Sequence, residues 1–296
     1  MIVQITMARD EIVLIKELLP VWSKFSDGFV FCLDSNTDET KEYLESVKDK
    51  YNILEIIENQ QSENNLPVET DVRQRLFDTA MKYSNKIICL DADEYLDGTI
   101  TKQQLENLLD SEKDVVYHLQ WIQYTGKNTI RTDGPWKVNF KDRIGSYNSS
   151  AKFEWAQMHS SHLPLLKNQK AINSQYLFIA HLQWLSKIHV ATKQYFWKTI
   201  DYVNNKKYGI RTVGNAAYDA SVNNFEWEES QFNVSLKIDY SIFDKINIFE
   251  NYKYKKIKEL SSTYNVPNLG DWGYNITELE KTHEYKNGKM CSKINK

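Results

Sequence analysis

Glycine and proline are scarce in this chain, at ten and five residues in 296. Few breakers leave most of the length free to form regular elements. No Gly-, Ser- or Pro-rich stretch marks a linker or a low-complexity segment. Residues 6–20 contain no glycine at all. That argues against a nucleotidyltransferase, which needs a glycine-rich loop there to wrap a triphosphate with backbone N–H groups. The three cysteines, Cys32, Cys89 and Cys291, are far apart and form no Cys-x-x-Cys pair. Cys32 and Cys89 fall inside apolar runs and are expected to be small core residues, in keeping with a reducing, cytoplasmic setting. No apolar segment approaches the roughly 18–20 residues that cross a bilayer. The first seven residues lack the basic start and long apolar run of a signal peptide, so none is expected. Charge of one sign is also missing: 37 Lys and Arg face 40 Asp and Glu, a net −3. A broad nucleic-acid surface needs a basic face, and only short basic runs occur, at Lys253–Lys258 and in the C-terminal tail.

Aromatic residues are abundant instead. Eight Trp, eighteen Tyr and twelve Phe, within 41% hydrophobic residues, supply a sizeable core for one large domain or two smaller ones. The first hundred residues alternate strand and helix signals. Ile2–Met7 reads as a strand. Leu14, Leu18 and Trp22 then repeat at helical spacing, with Pro20 expected to kink or split that helix. Phe29–Leu33 is a continuous apolar run, as in a strand covered on both faces. Asp38 suits the cap of a helix carrying Tyr43, Leu44, Val47 and Tyr51. Ile53–Ile57 is a third strand. Val72, Leu76, Ala80 and Tyr83 define a third helix, and Lys86–Leu90 a fourth strand. This order predicts an α/β fold with a mostly parallel sheet flanked by helices. Further on, Leu105, Leu108 and Leu109 suggest a short helix and Val115–Trp121 a strand. Residues 126–150 read as loops or a hairpin. Tyr176–Leu182 is a strand ending near His181, followed by helix signals over Ser186–Val203. The last eighty residues read as a helical or mixed extension.

The run Lys86-Ile-Ile-Cys-Leu-Asp91-Ala-Asp93-Glu94 is the most informative stretch. An apolar strand ends abruptly in three carboxylates. Such groups are costly at a strand end unless something cationic uses them, and Asp-x-Asp there can hold a hard divalent ion that holds a diphosphate. The plain alternative is a solvated acidic turn. Parallel strands bring their carboxyl ends to one edge, where ligands of such sheets bind. Arg9-Asp10-Glu11, Asp34 to Asp38 and Asp91 to Glu94 all follow predicted parallel strands. Three polar clusters on one edge favour a ligand site over three unrelated turns.

Together these motifs, with the helix Arg73–Ala80, resemble family 2 glycosyltransferases of the GT-A fold, closest to the branch whose signature reads "lDaDEfl". The resemblance covers residues 1–100 well and 101–200 loosely. It departs at Asp10-Glu11, where the commonest family form has Asn-Glu. It implies a nucleotide-diphosphate-sugar donor, a glycan or other hydroxyl acceptor, Mn2+ or Mg2+, and an inverting one-step displacement. It also implies a division into a nucleotide-sugar-binding half (1–100), an acceptor-binding half (101–214) and a C-terminal extension (215–296).

The roles follow in part from that resemblance. Asp93 is expected to ligate the metal, with Asp91 on the ion or the ribose and Glu94 orienting a neighbouring group. The resemblance adds His181 to the metal site and a grip on the diphosphate from Lys187 or Lys193. It places Asp34 near the base or ribose; a turn-forming Asx residue is the alternative. Arg9, Asp10 and Arg73 are further candidates for the nucleotide. Arg73 and Arg75 point to different sides of their helix, so one of them at most takes part. Glu154 and His159, in the stretch Phe153 to His162, are the candidate bases. Trp136 and Trp155 offer faces for an acceptor sugar, or pack in the core. The commitment is to a metal-dependent glycosyltransferase, cytoplasmic or peripheral at a membrane. The rival is a GT-A-like protein that only binds carbohydrate or a partner.

Overall fold

The computed structural model describes residues 1–59, 69–111, 114–125, 129–137, 139–148, 151–154, 156, 160–165, 170–185, 187–209, 218, 227–229, 252–264, 283–286 and 289–292. Trp155 and His159 lie outside the described residues. The fold is mixed α/β, an eight-stranded sheet flanked by helices in the manner of a Rossmann-like GT-A domain.

The first half alternates as its periodicity predicts: β1 (Val3–Ala8), α1 (Ile12–Trp22), β2 (Gly28–Asp34), α2 (Thr40–Ser46), α3 (Lys48–Tyr51), β3 (Ile53–Asn59), α4 (Glu69–Ala80) and β4 (Lys86–Cys89). There follow β5 (Glu94–Gly98), α5 (Lys102–Ser111), β6 (Val115–Gln123), β7 (Thr129–Arg131), β8 (Phe140–Ser146), β9 (Lys170–His181), α6 (Lys187–Tyr208) and, in the C-terminal part, α7 (Tyr252–Tyr264). The main sheet runs β3-β2-β1-β4-β8-β6-β9-β5. The first four strands are mutually parallel; β8 is antiparallel to both its neighbours, and β5 is antiparallel to β9.

Alternation along β2 explains why its whole run is apolar. Phe29, Phe31 and Leu33 enter the core under α1 and α5, whereas Val30 and Cys32 enter the one under α4. Cys32 and Cys89 are buried there as free thiols, and burial raises both to about 12, so they stay protonated. A third cluster, built on Phe196, Ile200, Tyr254 and Ile257, joins α6 to α7.

Two expectations are corrected. α1 is not split at Pro20 but runs through it to Trp22. Pro20 and Lys16, whose carbonyl loses its partner, both face solvent, so water replaces the missing bond. The segment 126–150, read as loops or a hairpin, contains β8 in the middle of the sheet. Its sequence, Phe-Lys-Asp-Arg-Ile-Gly-Ser, has the composition of a loop because its charged residues face a polar cavity. The N-cap of α2 is Glu39; Asp38, one residue earlier, accepts the Thr40 N–H at the start of α2 and the Ile12 N–H at the start of α1 on its carboxylate.

Strand β5 closes on β9 with Gly98 opposite Leu177. Gly98 has φ +150°, and a Cβ there would stand 2.1 Å from the Tyr176 carbonyl oxygen. Gly98→Ala is expected to cost at least about 1–3 kcal/mol from backbone strain, read as a lower midpoint in urea denaturation. An unchanged midpoint would contradict this pairing.

Candidate functional site

The site is organised around a buried carboxylate outside the cavity lining. Glu94 opens β5 and has no exposure. Arg143 of β8 donates to both its oxygens, from Nε at 3.0 Å and from one terminal nitrogen at 2.7 Å. The Trp121 indole N–H of β6 (2.7 Å) and the Asp91 backbone N–H (3.0 Å) complete it. The Glu94 carbonyl accepts the Trp22 indole N–H at 2.8 Å. Burial raises the Glu94 carboxyl, but Arg143 more than offsets this and draws it below its ordinary value. The turn Asp91-Ala92-Asp93 is thereby fixed between β4 and β5.

Asp91 faces an imidazole and two guanidinium groups. Its carboxylate lies 3.0 Å from His162 Nε2, 3.4 Å from Arg73 and 3.9 Å from Arg143. Burial pushes the Asp91 carboxyl up, but His162, Arg73 and Arg143 together draw it well below its usual range. The His162 ring is pushed down, by burial first and then by Arg143 and Arg73.

Asp93 is set by register. Glu94 pairs with His181 across β5 and β9, and the Leu182 N–H donates to the Asp93 carbonyl at 3.0 Å, so Asp93 and His181 are neighbours. His181 Nε2 lies 3.3 Å from Asp93 Oδ2. Its ring stacks on Trp121 with centroids 4.5 Å apart. Gln123 donates its amide N–H to the Trp121 carbonyl (3.3 Å), which turns Gln123 Oε1 toward His181 Nδ1 at 2.5 Å. Nδ1 therefore donates to Gln123, and Nε2 faces the Asp93 carboxylate. Lys193 of α6 reaches the same Asp93 oxygen at 2.6 Å. Burial raises the Asp93 carboxyl; Lys193 and His181 more than reverse that and keep it ionised.

The opposite wall comes from the loops after β1 and β2. Arg9 pairs with the Asp34 carboxylate and donates to the Asp34 carbonyl at 3.0 Å. Its guanidinium lies among Phe196, Trp197 and Tyr252 of α6 and α7, 5.2–5.9 Å from their centroids. Glu11 is buried and receives Lys253 of α7 on Oε1 at 2.6 Å. These walls enclose a cavity of about 470 Å³, within the roughly 300–1,000 Å³ of small-molecule sites.

Of the residues named from sequence, Arg9, Asp34, Arg73, Asp91, Asp93, Trp136 and His181 line this one cavity. Asp10 does not. It sits at φ +52°, and its carboxylate accepts the N–H groups of Thr37 and Asp38, the Thr37 hydroxyl and the Tyr252 N–H at the start of α7. It braces the loop after β1 against the C-terminal helix. Glu154 is exposed and outside the lining. Lys187 is the first residue of α6, and its side chain lies outside the described set. Among the described residues, Arg75 donates to Asn59 Oδ1, at 3.2 Å.

The lining also contains Glu11, Lys141, Asp142, Arg143 and His162, which sequence reasoning assigned no role. Lys141, Asp142 and Arg143 lie on β8, within the stretch read as loops or a hairpin without a role for any residue of the strand. Both hydrogen bonds to Asp142 from described residues, from His162 N–H (3.1 Å) and Leu163 N–H (3.0 Å), fall on Oδ2. Trp136 has one face covered by Arg131, whose guanidinium carbon is 3.7 Å from the ring centroid.

A divalent ion fits two of these donors. Ligands at right angles on an ion with bonds of about 2.1 Å are about 3 Å apart, close to the 3.3 Å between Asp93 Oδ2 and His181 Nε2. Among the described residues no group of three or more His, Cys, Asp or Glu side chains converges as a ligand set. An ion here would draw its remaining oxygens from water and a bound diphosphate, as Mg2+ commonly does.

No protein-family model and no curated protein matches the chain. Among solved structures, TarS residues 1–349 from S. aureus in complex with UDP is 13% identical, covering 75% of this chain and 69% of its own, with a TM-score of 0.36. HddC from Yersinia pseudotuberculosis is 13% identical, covering 61% and 93%, with a TM-score of 0.33. Likeness at that level leaves activity to be argued from the chain's own geometry. No helix among the described residues is long and apolar enough to cross a membrane.

His189, on α6 behind Lys193, is held down to about 3 by burial and by the ammonium groups of Lys253 and Lys193. The unfolded chain therefore takes up a proton near pH 6.5 that the folded chain refuses. Stability is full above about 6.5 and falls as the pH drops toward 3, by up to about 1.4 kcal/mol per unit from this group. Urea unfolding between pH 7 and 4.5 is expected to show that slope, and His189→Gln to flatten it. An equal slope in both proteins would contradict a neutral buried ring.

Proposed function

We propose that this chain is a glycosyltransferase that moves a sugar from a nucleoside-diphosphate sugar to an acceptor hydroxyl with inversion. The single observation that carries the reading is the cavity. It gathers the loops after β1, β2 and β4 with His181 and α6, and three of its lining side chains hold a buried polar atom without a partner: Glu11 Oε2, Arg143 Nη1 and Ser160 Oγ. Buried groups of that kind cost stability unless a ligand meets them. The arginine N–H and the serine hydroxyl suit phosphate or sugar oxygens.

In this reading Arg9 and Asp34 bound the nucleoside end. Arg143 and Lys141 face the diphosphate, and Lys187 stays a candidate for it on the resemblance alone. Lys141 has no carboxylate within 4.0 Å among the described residues, and burial and Arg143 lower its pKa, so an incoming anion would relieve it. Asp93 and His181 would hold Mn2+ or Mg2+, which neutralises charge on a departing diphosphate when bound. Arg73 and His162 orient Asp91 and keep it ionised. Trp136 offers its uncovered side to the acceptor.

The base is reassigned. Glu154 is exposed, and Asp142 is the cavity carboxylate with no cation within 4.0 Å among the described residues. Two backbone N–H groups fix its Oδ2, which leaves Oδ1 to take the acceptor's proton. The division at residues 100 and 214 is retained as part of the proposal, with α7 of the extension forming part of the donor wall.

The test is release of nucleoside diphosphate from a panel of sugar nucleotides, with candidate glycan acceptors. Turnover is expected with one donor, and Asp142→Asn is expected to lower kcat by about 10²–10⁴-fold while leaving nucleoside-diphosphate affinity within a few-fold. Binding without turnover on any acceptor would favour the carbohydrate-binding alternative. Full activity in Asp142→Asn would remove that residue as base.

A further inference from the structure

Asp34 closes strand β2, and its partner across the parallel pair with β3 is Asn59. Asn59 grips this strand end twice. Its carbonyl oxygen accepts the Ser35 N–H at 3.2 Å, where the chain turns through the left-handed region with Ser35 at φ +57°. Its side-chain amide donates to Asp34 Oδ1 at 3.0 Å. Arg9 takes the other carboxylate oxygen, Oδ2. Behind them, Arg75 of α4 donates to Asn59 Oδ1 at 3.2 Å. Arg9 and Asp34 line the cavity, whereas Asn59 and Arg75 stand outside its lining.

The row Arg75–Asn59–Asp34 has a fixed polarity. A guanidinium only donates and a carboxylate only accepts, so both neighbours demand the same orientation of the Asn59 amide, with its NH2 toward Asp34. The terminal torsion of an aspartate is broad. A partner on one oxygen leaves the carboxylate free to turn; a second donor, on the other oxygen and from a different strand, fixes its plane. The two arginines of α4 thereby serve two acidic groups of the cavity. Arg73 meets Asp91 directly, at 3.4 Å, and Arg75 acts on Asp34 through Asn59. We propose that Asn59, locked by Arg75, is the positioning residue for the nucleoside end of the donor: it holds the Asp34 carboxylate in the plane that meets the nucleoside, without touching the ligand. This inference rests on the donor-site reading above. Without Asn59 the Asp34 carboxylate keeps its ion pair with Arg9 but points its oxygens toward the nucleoside for only part of the time. The groups that face the diphosphate, Lys141 and Arg143, belong to β8 and stay in place.

The test is isothermal titration of the full chain, with Mn2+ present, using whichever of UDP, GDP and dTDP the native chain binds best. Asn59→Ala is expected to weaken binding at least about fivefold, as for side chains within one hydrogen-bonded network. Asp34→Ala is expected to weaken it more, and the double variant no further than Asp34→Ala alone. Arg75→Met is expected to lose about two- to fivefold, and nothing further when added to Asn59→Ala; a loss due to its charge alone would persist there. Arg75 is exposed, so its substitution tests the row even where Asn59→Ala fails to fold. Native affinity in folded Asn59→Ala, an undiminished loss from it in the Asp34→Ala background, or native affinity in Arg75→Met each overturns the inference and leaves the donor-site reading standing. If the native chain binds none of the three nucleotides, the donor-site reading fails and the inference falls with it.

Discussion

The buried pair of Glu94 and Arg143 is the interaction on which the rest of the site depends. Taking both charges out of water costs several kcal/mol apiece, so such a pair persists only when nearly every lone pair is met. Here the carboxylate accepts two guanidinium N–H groups, an indole N–H and the backbone N–H of Asp91. Those four bonds tie β5, β6, β8 and the acidic turn together. Trp22 adds α1 through the Glu94 carbonyl. Removing either partner would leave an uncompensated buried charge, at about 3–5 kcal/mol. It would also free the turn that aims Asp91 and Asp93. A single residue outside the cavity thus sets the direction of two residues inside it.

The same principle runs through the cavity wall. Asp91 is met by Arg73 and His162, Asp93 by Lys193, and Asp34 by Arg9. The carboxylates that make the sequence look like a cation site are each held by a cationic or hydrogen-bonding side chain of the chain itself. That arrangement keeps a densely charged cavity folded without a ligand. It also means that binding here is exchange, in which protein charges give way to ligand charges. The groups left unpartnered, Glu11 Oε2, Arg143 Nη1 and Ser160 Oγ, are where exchange adds bonds instead of replacing them.

The parallel half of the fold was legible because its strands are covered on both faces and its helices repeat cleanly, so that periodicity alone locates β1, β2, β4 and α4. The convergence of Arg9, Asp34 and Asp91 followed from topology. The rest was obscured for a physical reason. A strand whose side chains line a polar cavity has the composition of a loop, and Lys141-Asp142-Arg143 in β8 fell in a stretch read as loops or a hairpin. With β8 went Arg143, the partner of Glu94, and the cavity carboxylate Asp142. Asp10 misled in the opposite sense: an acidic residue beside a ligand edge proved to be a brace for Thr37 and α7. Nothing short of the fold places Tyr252 beside Arg9, because some 240 residues separate them. The C-terminal segment, unreadable by motif, supplies Lys253 to the cavity wall and Tyr252 to the Arg9 guanidinium.

The most direct measurement is isothermal titration of UDP, GDP and dTDP into the chain with Mn2+ present, repeated on Asp93→Ala. The account requires one nucleoside diphosphate to bind with a stoichiometry of about one per chain, and Asp93→Ala to lose at least about tenfold in affinity, or about 1.4 kcal/mol. Binding of none of the three by folded protein, or equal affinity in Asp93→Ala, would contradict the assignment of this cavity to a nucleotide-sugar donor.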